Sequence, residues 1–153
     1  ALAKLAIGAG MKVVFSDIHE DNVDVELSFF DGQSANFTCE NVGFDRVLSE
    51  SDFISVHVPG GDLIGASELA KMKDGVVLLN AARGGVINEE ALLDALESGK
   101  VAGAGLDVFV NEPTPAVKVL MNGKLSVTPH IGAATLEAQD RIGTELAAHI
   151  DAI

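Results

Sequence analysis

The stretch from Val76 to Asn88 most restricts what this chain can fold into. Val76 to Leu79 is an unbroken apolar run and reads as a buried strand. Small residues follow, Asn80-Ala81-Ala82 and Gly84-Gly85. Asn88-Glu89-Glu90 then opens an apolar-periodic segment with acids in its first turn, as a helix start should. Arg83 therefore stands at the carboxyl end of a strand, just before a helix, where open α/β sheets place their ligands. Its guanidinium is a planar, permanent cation suited to gripping a carboxylate through two hydrogen bonds. Taken alone, Arg83 reads more simply as a surface arginine in a βα loop. The rest of the chain decides between the two.

Elsewhere the same alternation recurs. Ala1 to Ile7 reads as the end of a helix stopped by Gly8 to Gly10, so the sequence looks like part of a longer protein. Met11 to Ser16 is a strand candidate ending in Asp17. A helix, a glycine stop and a strand ending in an acid form the second half of a dinucleotide-binding βαβ unit. In that unit the acid bonds the ribose hydroxyls about 20 residues beyond a glycine-rich turn, which would fall just before Ala1. Asp17 read by itself is at least as well explained as a strand cap. Val23 to Phe30 and Gln33 to Thr38 flank Asp31-Gly32, a hairpin signal, and suggest a ribbon appended to the parallel sheet.

Phe44 to Leu48 suits a short helix, Phe53 to Pro59 a strand, Leu63 to Met72 a helix and Lys73-Asp74-Gly75 a turn. His57, with nothing near it in sequence to orient it, reads as structural. Ala91 to Leu96 is helical and stops at Ser98-Gly99. Val101 to Leu106 is a small-residue strand packed closely on a neighbour, and it ends in Asp107. Glu112-Pro113 lies in a loop. Leu125 to Thr128 is a last strand, followed by Pro129-His130-Ile131-Gly132-Ala133-Ala134. Thr135 is the N-cap of a long amphipathic helix to about Ile150, with Leu136, Ile142, Leu146 and Ile150 on its apolar side. Strands alternating with helices imply a parallel sheet covered by helices on both faces.

Composition excludes several classes. With 153 residues and 48% hydrophobic side chains the chain can bury one real core. A formal net charge of −13 argues against nucleic-acid binding, which needs clustered Lys and Arg. An anionic substrate then needs a locally positive pocket, and Arg83 is a candidate for making one. The one cysteine, Cys39, forbids an internal disulfide and fits a reducing cytoplasm. No apolar run is long enough to span a membrane. The sequence suggests no metal site.

Arg83, Asp107 with Glu112, and His130 stand at or just after the carboxyl ends of consecutive strands, and in a parallel sheet those ends share one edge. Histidine is suited to moving a proton near neutral pH, and a carboxylate on its other nitrogen fixes the tautomer and favours the imidazolium. Arg83 would hold a substrate carboxylate. These parts fit hydride transfer between a nicotinamide and a 2-hydroxy or 2-oxo acid. Singly, each residue has a plainer explanation: a solvated loop glutamate, a turn histidine, a strand-end aspartate.

Gly75 to Ile87, Ala102-Gly103-Ala104-Gly105-Leu106-Asp107-Val108-Phe109, Glu112-Pro113 and Thr128 to Thr135 resemble the NAD-binding domain of the D-2-hydroxyacid dehydrogenases. Ser51 to Pro59 and Glu137 to Gly143 resemble the phosphoglycerate members of that family most. The resemblance implies a Rossmann-type, doubly wound parallel sheet over residues 1–153, lacking its first strand and glycine-rich turn, with the substrate domain outside the chain. It implies catalytic roles for Arg83 (substrate carboxylate), Glu112 (paired with the histidine) and His130 (acid/base). It places Asp17, Ile18, Val58, Pro59, Ala81, Ala82, Arg83, Asp107, His130, Gly132 and Ala133 at the NAD site. In that set Asp17 holds the ribose and favours NAD over NADP, and Asp107 holds the nicotinamide carboxamide. It implies a homodimer formed through this domain and a small 2-hydroxy or 2-oxo acid substrate, with neither nucleic acid nor membrane as partner. Glu112 stands where related formate dehydrogenases usually carry Gln, which argues against formate. The segment Pro59 to Leu63 is a few residues shorter than the family pattern, and Asn88 replaces its usual Asp, a change between two good caps. Glyoxylate and hydroxypyruvate reductases are alternatives, and NAD-sensing transcriptional corepressors are an alternative of another class.

Overall fold

A computed structural model describes residues 1–132 and 134–151. Residues 1–51 and the residues from 52 onward form two compact units.

In the first unit α1 spans Leu2–Gly8 and is closed by the Gly10 and Met11 amides, which bond back to the Ile7 and Ala6 carbonyls at 2.9 and 3.0 Å. Strand β1 is Val14–Phe15, β2 is Asn22–Ser28 and β3 is Ser34–Asn41, followed by helix α2, Phe44–Glu50. The expected strand from Met11 to Ser16 is thus reduced to two residues. The hairpin forms, with Val25 opposite Phe37 and Ser28 opposite Ser34. It is not an appendage, because β3 also pairs in parallel with β1, giving the order β1-β3-β2. The reason lies past Thr38, where the sequence reading had stopped: Glu40 and Asn41 continue the strand and align with Val14 and Phe15. Val25 and Cys39 are buried on one face of the ribbon, while Phe29 and Phe30 near its turn are exposed.

The second unit is a four-stranded parallel sheet in the order β4-β5-β6-β7, built from Phe53–Val56, Val76–Asn80, Val101–Leu106 and Leu125–Val127. Helix α3 (Ala66–Lys71) joins β4 to β5, α4 (Glu89–Ser98) joins β5 to β6, and the short α5 (Val117–Leu120) precedes β7. Helix α6 is Leu136–Asp151. Val76, Leu78, Leu92, Leu96 and Val101 are at most 1% exposed and form the core between sheet and helices. Each such side chain is worth about 1.5–3 kcal/mol when fully buried.

Three local differences from the sequence reading have physical causes. β4 ends at Val56, so His57, Val58 and Pro59 lie in the loop beyond its carboxyl end. α3 is shorter than Leu63 to Met72, because Ile64 pairs with the Val86–Asn88 segment instead: its amide donates to the Val86 carbonyl at 2.9 Å and its carbonyl accepts from the Asn88 amide at 2.8 Å. α5 went unread, since four residues are too few to show a helical period. The apolar side of α6 is exposed: Leu136, Ile142, Leu146 and Ile150 are all well exposed.

The helix ends follow the sequence. Asn88 caps α4, its side chain accepting from the Ala91 amide at 3.0 Å. Thr135 caps α6 by accepting from the Ala138 amide at 3.2 Å. No helix among the described residues is long and apolar enough to cross a membrane.

Candidate active site

The site is assembled at the carboxyl ends of β5, β6 and β7. Asn80, the last residue of β5, is 3% exposed. Its side-chain oxygen accepts from the Ala82 amide and its nitrogen donates to the Arg83 carbonyl, both at 3.0 Å. The turn that carries Arg83 is therefore folded around a buried amide. Arg83 is exposed, and its guanidinium donates to the Ala82 carbonyl at 2.7 Å. Gly84 presses that turn onto the next loop. A Cβ on Gly84 would stand 1.8 Å from the Phe109 carbonyl oxygen, so only glycine fits.

The next loop carries Glu112, and it is held at three points. Its Val110 amide donates to Glu89 Oε1, at the start of α4, at 2.7 Å. Its Phe109 amide donates to Glu112 Oε1 at 2.9 Å. Glu112 Oε2 stands 2.7 Å from His130 Nδ1. An ionised carboxylate only accepts, so the proton sits on Nδ1 and Nε2 of a neutral ring is left as the base. The His130 hydrogen bond, and after it the Phe109 amide, hold the Glu112 carboxyl below its ordinary range. A lowered value means the ionised Glu112 carboxylate contributes stability above its unfolded-chain value, lost only as pH falls through the lower folded one. A carbon-13 titration of Glu112 should accordingly show a midpoint below the ordinary glutamate value of about 4.3. A midpoint at or above that value would mean the pair is not formed in solution.

His130 itself has a φ of +56°, a left-handed backbone that costs a non-glycine residue about 1–2 kcal/mol. The turn is secured by Asp107, which is 8% exposed. Asp107 Oδ1 accepts from the Thr128 hydroxyl at 2.5 Å and the Ile131 amide at 2.8 Å, and Oδ2 from the Gly132 amide at 2.8 Å. Burial works against its charge, but these three donors outweigh burial and hold the carboxyl below its ordinary range. An ionised carboxylate offers roughly four acceptor positions, so about one remains on Oδ2.

Arg83, Asp107, Glu112 and His130 thus occupy adjoining turns on one edge of the second unit, linked by the bond from the Asp107 amide to the Asn80 carbonyl at 2.9 Å. Ala81 and Ala82 lie in the Arg83 turn, Val58 and Pro59 after β4, and Gly132 after His130. Asp17 and Ile18 belong to the first unit. There Asp17 Oδ1 accepts from the His19 and Glu20 amides at 2.7 and 3.3 Å, and Ile18 is exposed. Ala133 lies outside the described residues. Asn80, Gly84, Glu89 and Thr128 were not singled out from the sequence. The signal available for Gly84 was its place beside Arg83, but which of two adjacent glycines meets a neighbouring loop is a tertiary fact. His57 does have a neighbour: Ser55 Oγ stands 2.9 Å from its Nε2, two residues back along the strand direction.

A pocket of about 360 Å³ opens beside the His130–Glu112 pair, lined by Phe109, Pro113, Leu120 and Val127 among others. The edge fits a dinucleotide: its loops present alanines, glycine and proline that allow close approach, and Asp107 keeps an acceptor free among backbone donors. Among the described residues no cluster of His, Cys, Asp and Glu could hold a metal ion.

Parallel sheet, strand-end turns and an oriented histidine define the ligand-binding edge of an open α/β sheet. Residues 1–132 match the model of the D-isomer specific 2-hydroxyacid dehydrogenase NAD-binding domain, and the chain belongs to that family. It is 43% identical over 152 residues to a hydroxypyruvate reductase from Thermotoga maritima, a match covering 95% of this chain and 46% of the relative. It is 48% identical over 119 residues to a D-3-phosphoglycerate dehydrogenase from Mycobacterium leprae, covering 75% of this chain and 22% of the relative. The crystal structure of a glyoxylate reductase from Paecilomyes thermophila superposes with a TM-score of 0.77 at 39% identity, over 94% of this chain and 42% of that one. The chain therefore spans less than half the length of the curated relatives it matches. NAD is the cofactor of this domain family.

Proposed function

We propose that the protein is an NAD-dependent oxidoreductase of D-2-hydroxy acids, with 3-phosphoglycerate and 3-phosphohydroxypyruvate as its substrate pair in cytoplasmic serine synthesis. The observation that carries the reading is the 2.7 Å contact between Glu112 and His130 Nδ1, which aims a prepared acid/base away from its partner. NAD supplies the hydride acceptor or donor. In the oxidative direction His130 Nε2 takes the proton from the substrate hydroxyl, and Glu112 stabilises the imidazolium that results. Arg83 swings from the Ala82 carbonyl to hold the substrate carboxylate with two hydrogen bonds. Asp107 would offer its remaining acceptor position to the nicotinamide carboxamide. In the second unit Val58, Pro59, Ala81, Ala82 and Gly132 would line the cofactor; the residues proposed for its ribose, Asp17 with Ile18 beside it, belong to the first unit. The exposed apolar side of α6 fits a homodimer formed through this domain.

A second reading, a hydroxypyruvate or glyoxylate reductase, is favoured by one observation. The match to the Thermotoga reductase runs through nearly the whole chain, whereas the phosphoglycerate dehydrogenase match covers three quarters of it. NADH oxidation by the full-length protein separates the two. Fast turnover of 3-phosphohydroxypyruvate supports the phosphoglycerate reading, and turnover of glyoxylate and hydroxypyruvate alone supports the reductase. NADH binding with no turnover would overturn both and point to a sensor.

Asp17 gives a further expectation. A carboxylate facing the ribose repels a 2′-phosphate, so Asp17→Ala should raise the relative kcat/KM with NADPH by about tenfold or more, the scale of one close charge interaction. An unchanged NADH to NADPH ratio would leave Asp17 as the cap of the turn that follows β1.

A further inference from the structure

Among the described residues the buried polar side chains are Asn80 and Asp107, neighbours at the ends of β5 and β6. Asn80 is spent on the turn that follows its own strand, and Asp107 on the turn that follows β7. Asn80 uses its amide oxygen on the Ala82 N–H and its amide nitrogen on the Arg83 carbonyl. One side chain thus supplies an acceptor and a donor to the two sides of Arg83. Aspartate would lack the donor and leucine would lack both. Asp107 plays the corresponding part around His130. It accepts from Thr128, two residues before the histidine, and from Ile131 and Gly132, directly after it. The Thr128 amide is itself anchored to the Leu106 carbonyl at 3.0 Å. A Cβ on Gly132 would stand 3.1 Å from Asp107 Oδ2, so the carboxylate is seated closely against the turn. His130, the described non-glycine residue with a positive φ, lies between these anchors.

We propose that Asn80 and Thr128 are positioning residues with separate clients. Asn80 sets the turn that aims Arg83. Thr128, acting through Asp107, sets the turn that aims His130. The proposal rests on the reading of Arg83 as carboxylate anchor and His130 as acid/base. It goes further by assigning each clamp to one step: Asn80 to substrate binding, Thr128 through the buried Asp107 to proton transfer.

The separation can be read in the full-length protein. Thr128→Val removes the hydroxyl and keeps the shape, and its hydroxyl contact is with Asp107 rather than with either functional side chain. It should lower kcat by about tenfold, as a small misplacement of a reacting group does, with substrate KM within about twofold of wild type. Thr128→Ser restores the hydroxyl and should recover most of kcat. Asn80→Ala should raise substrate KM by about tenfold with a smaller change in kcat. Asn80→Asp keeps the size and the Ala82 acceptor, and it should show the same split if the alanine variant fails to fold. Wild-type constants in Thr128→Val and in both Asn80 variants would overturn the proposal. So would an equal loss of kcat and KM in both sets, or no recovery in Thr128→Ser, because those results describe general loosening. His130→Ala and Arg83→Ala are run alongside. Their near-normal turnover would refute the underlying site, whereas their collapse beside unaffected Thr128 and Asn80 variants would refute the positioning roles alone.

Discussion

Replacing His130 by alanine in the full-length protein is expected to cut kcat/KM by at least about a hundredfold, and replacing Arg83 by alanine to do the same. The two losses should differ in kind. On the proposed mechanism His130→Ala removes the group that exchanges a proton with the substrate oxygen, so kcat should carry most of the loss. It also leaves Glu112 without its histidine, while the Phe109 amide bond to Oε1 remains. The loop should therefore stay folded and the Tm should move little. Arg83→Ala removes a cation in a chain whose formal charge is −13, so an anionic substrate loses its local attraction against an unfavourable general field. KM should then rise along with a fall in kcat. Steady-state kinetics on both variants, with circular dichroism to verify folding, decides the matter. Turnover within a few-fold of wild type in either would remove that residue from the mechanism.

Gly84→Ala should be the most damaging single-methyl change in the second unit. The added Cβ would meet the Phe109 carbonyl oxygen at 1.8 Å and its carbon at 2.3 Å. Both are backbone atoms, and β6 behind them is fixed in the sheet, so neither turn can yield cheaply. Overpacking of this kind costs about 3 kcal/mol, and here the strain falls on the turns that carry Arg83 and Glu112. The expected result is a clearly lower urea midpoint together with a loss of activity of about a hundredfold, the scale of an ångström-level misplacement. Gly123→Ala is the matched comparison, since nothing lies within 4 Å of its added Cβ. Near-wild-type stability of Gly84→Ala would show that the two loops stand farther apart in solution.

The sequence by itself determined the alternating parallel architecture, the helix caps at Asn88 and Thr135, and which residues stand at strand ends. The physical reason is that these are local properties. Apolar runs such as Val76 to Leu79, acids in a first turn and a capping side chain act within a few residues of their own position. The candidates Arg83, Asp107, Glu112 and His130 were legible for the same reason, because parallel strands bring their carboxyl ends to one edge without further information. Tertiary structure decided the rest. Nothing local says that β3 runs past Thr38 to pair with β1, or that Leu63 and Ile64 leave a helix to bond Val86. The clamps were invisible for the same reason. Asn80 and Thr128 look like ordinary strand-end polar residues until the sheet buries Asn80 beneath the Arg83 turn and sets Asp107 beside Thr128. Only there, away from water, do the Asn80 amide and the Asp107 carboxylate bind the backbone of the turns that carry Arg83 and His130.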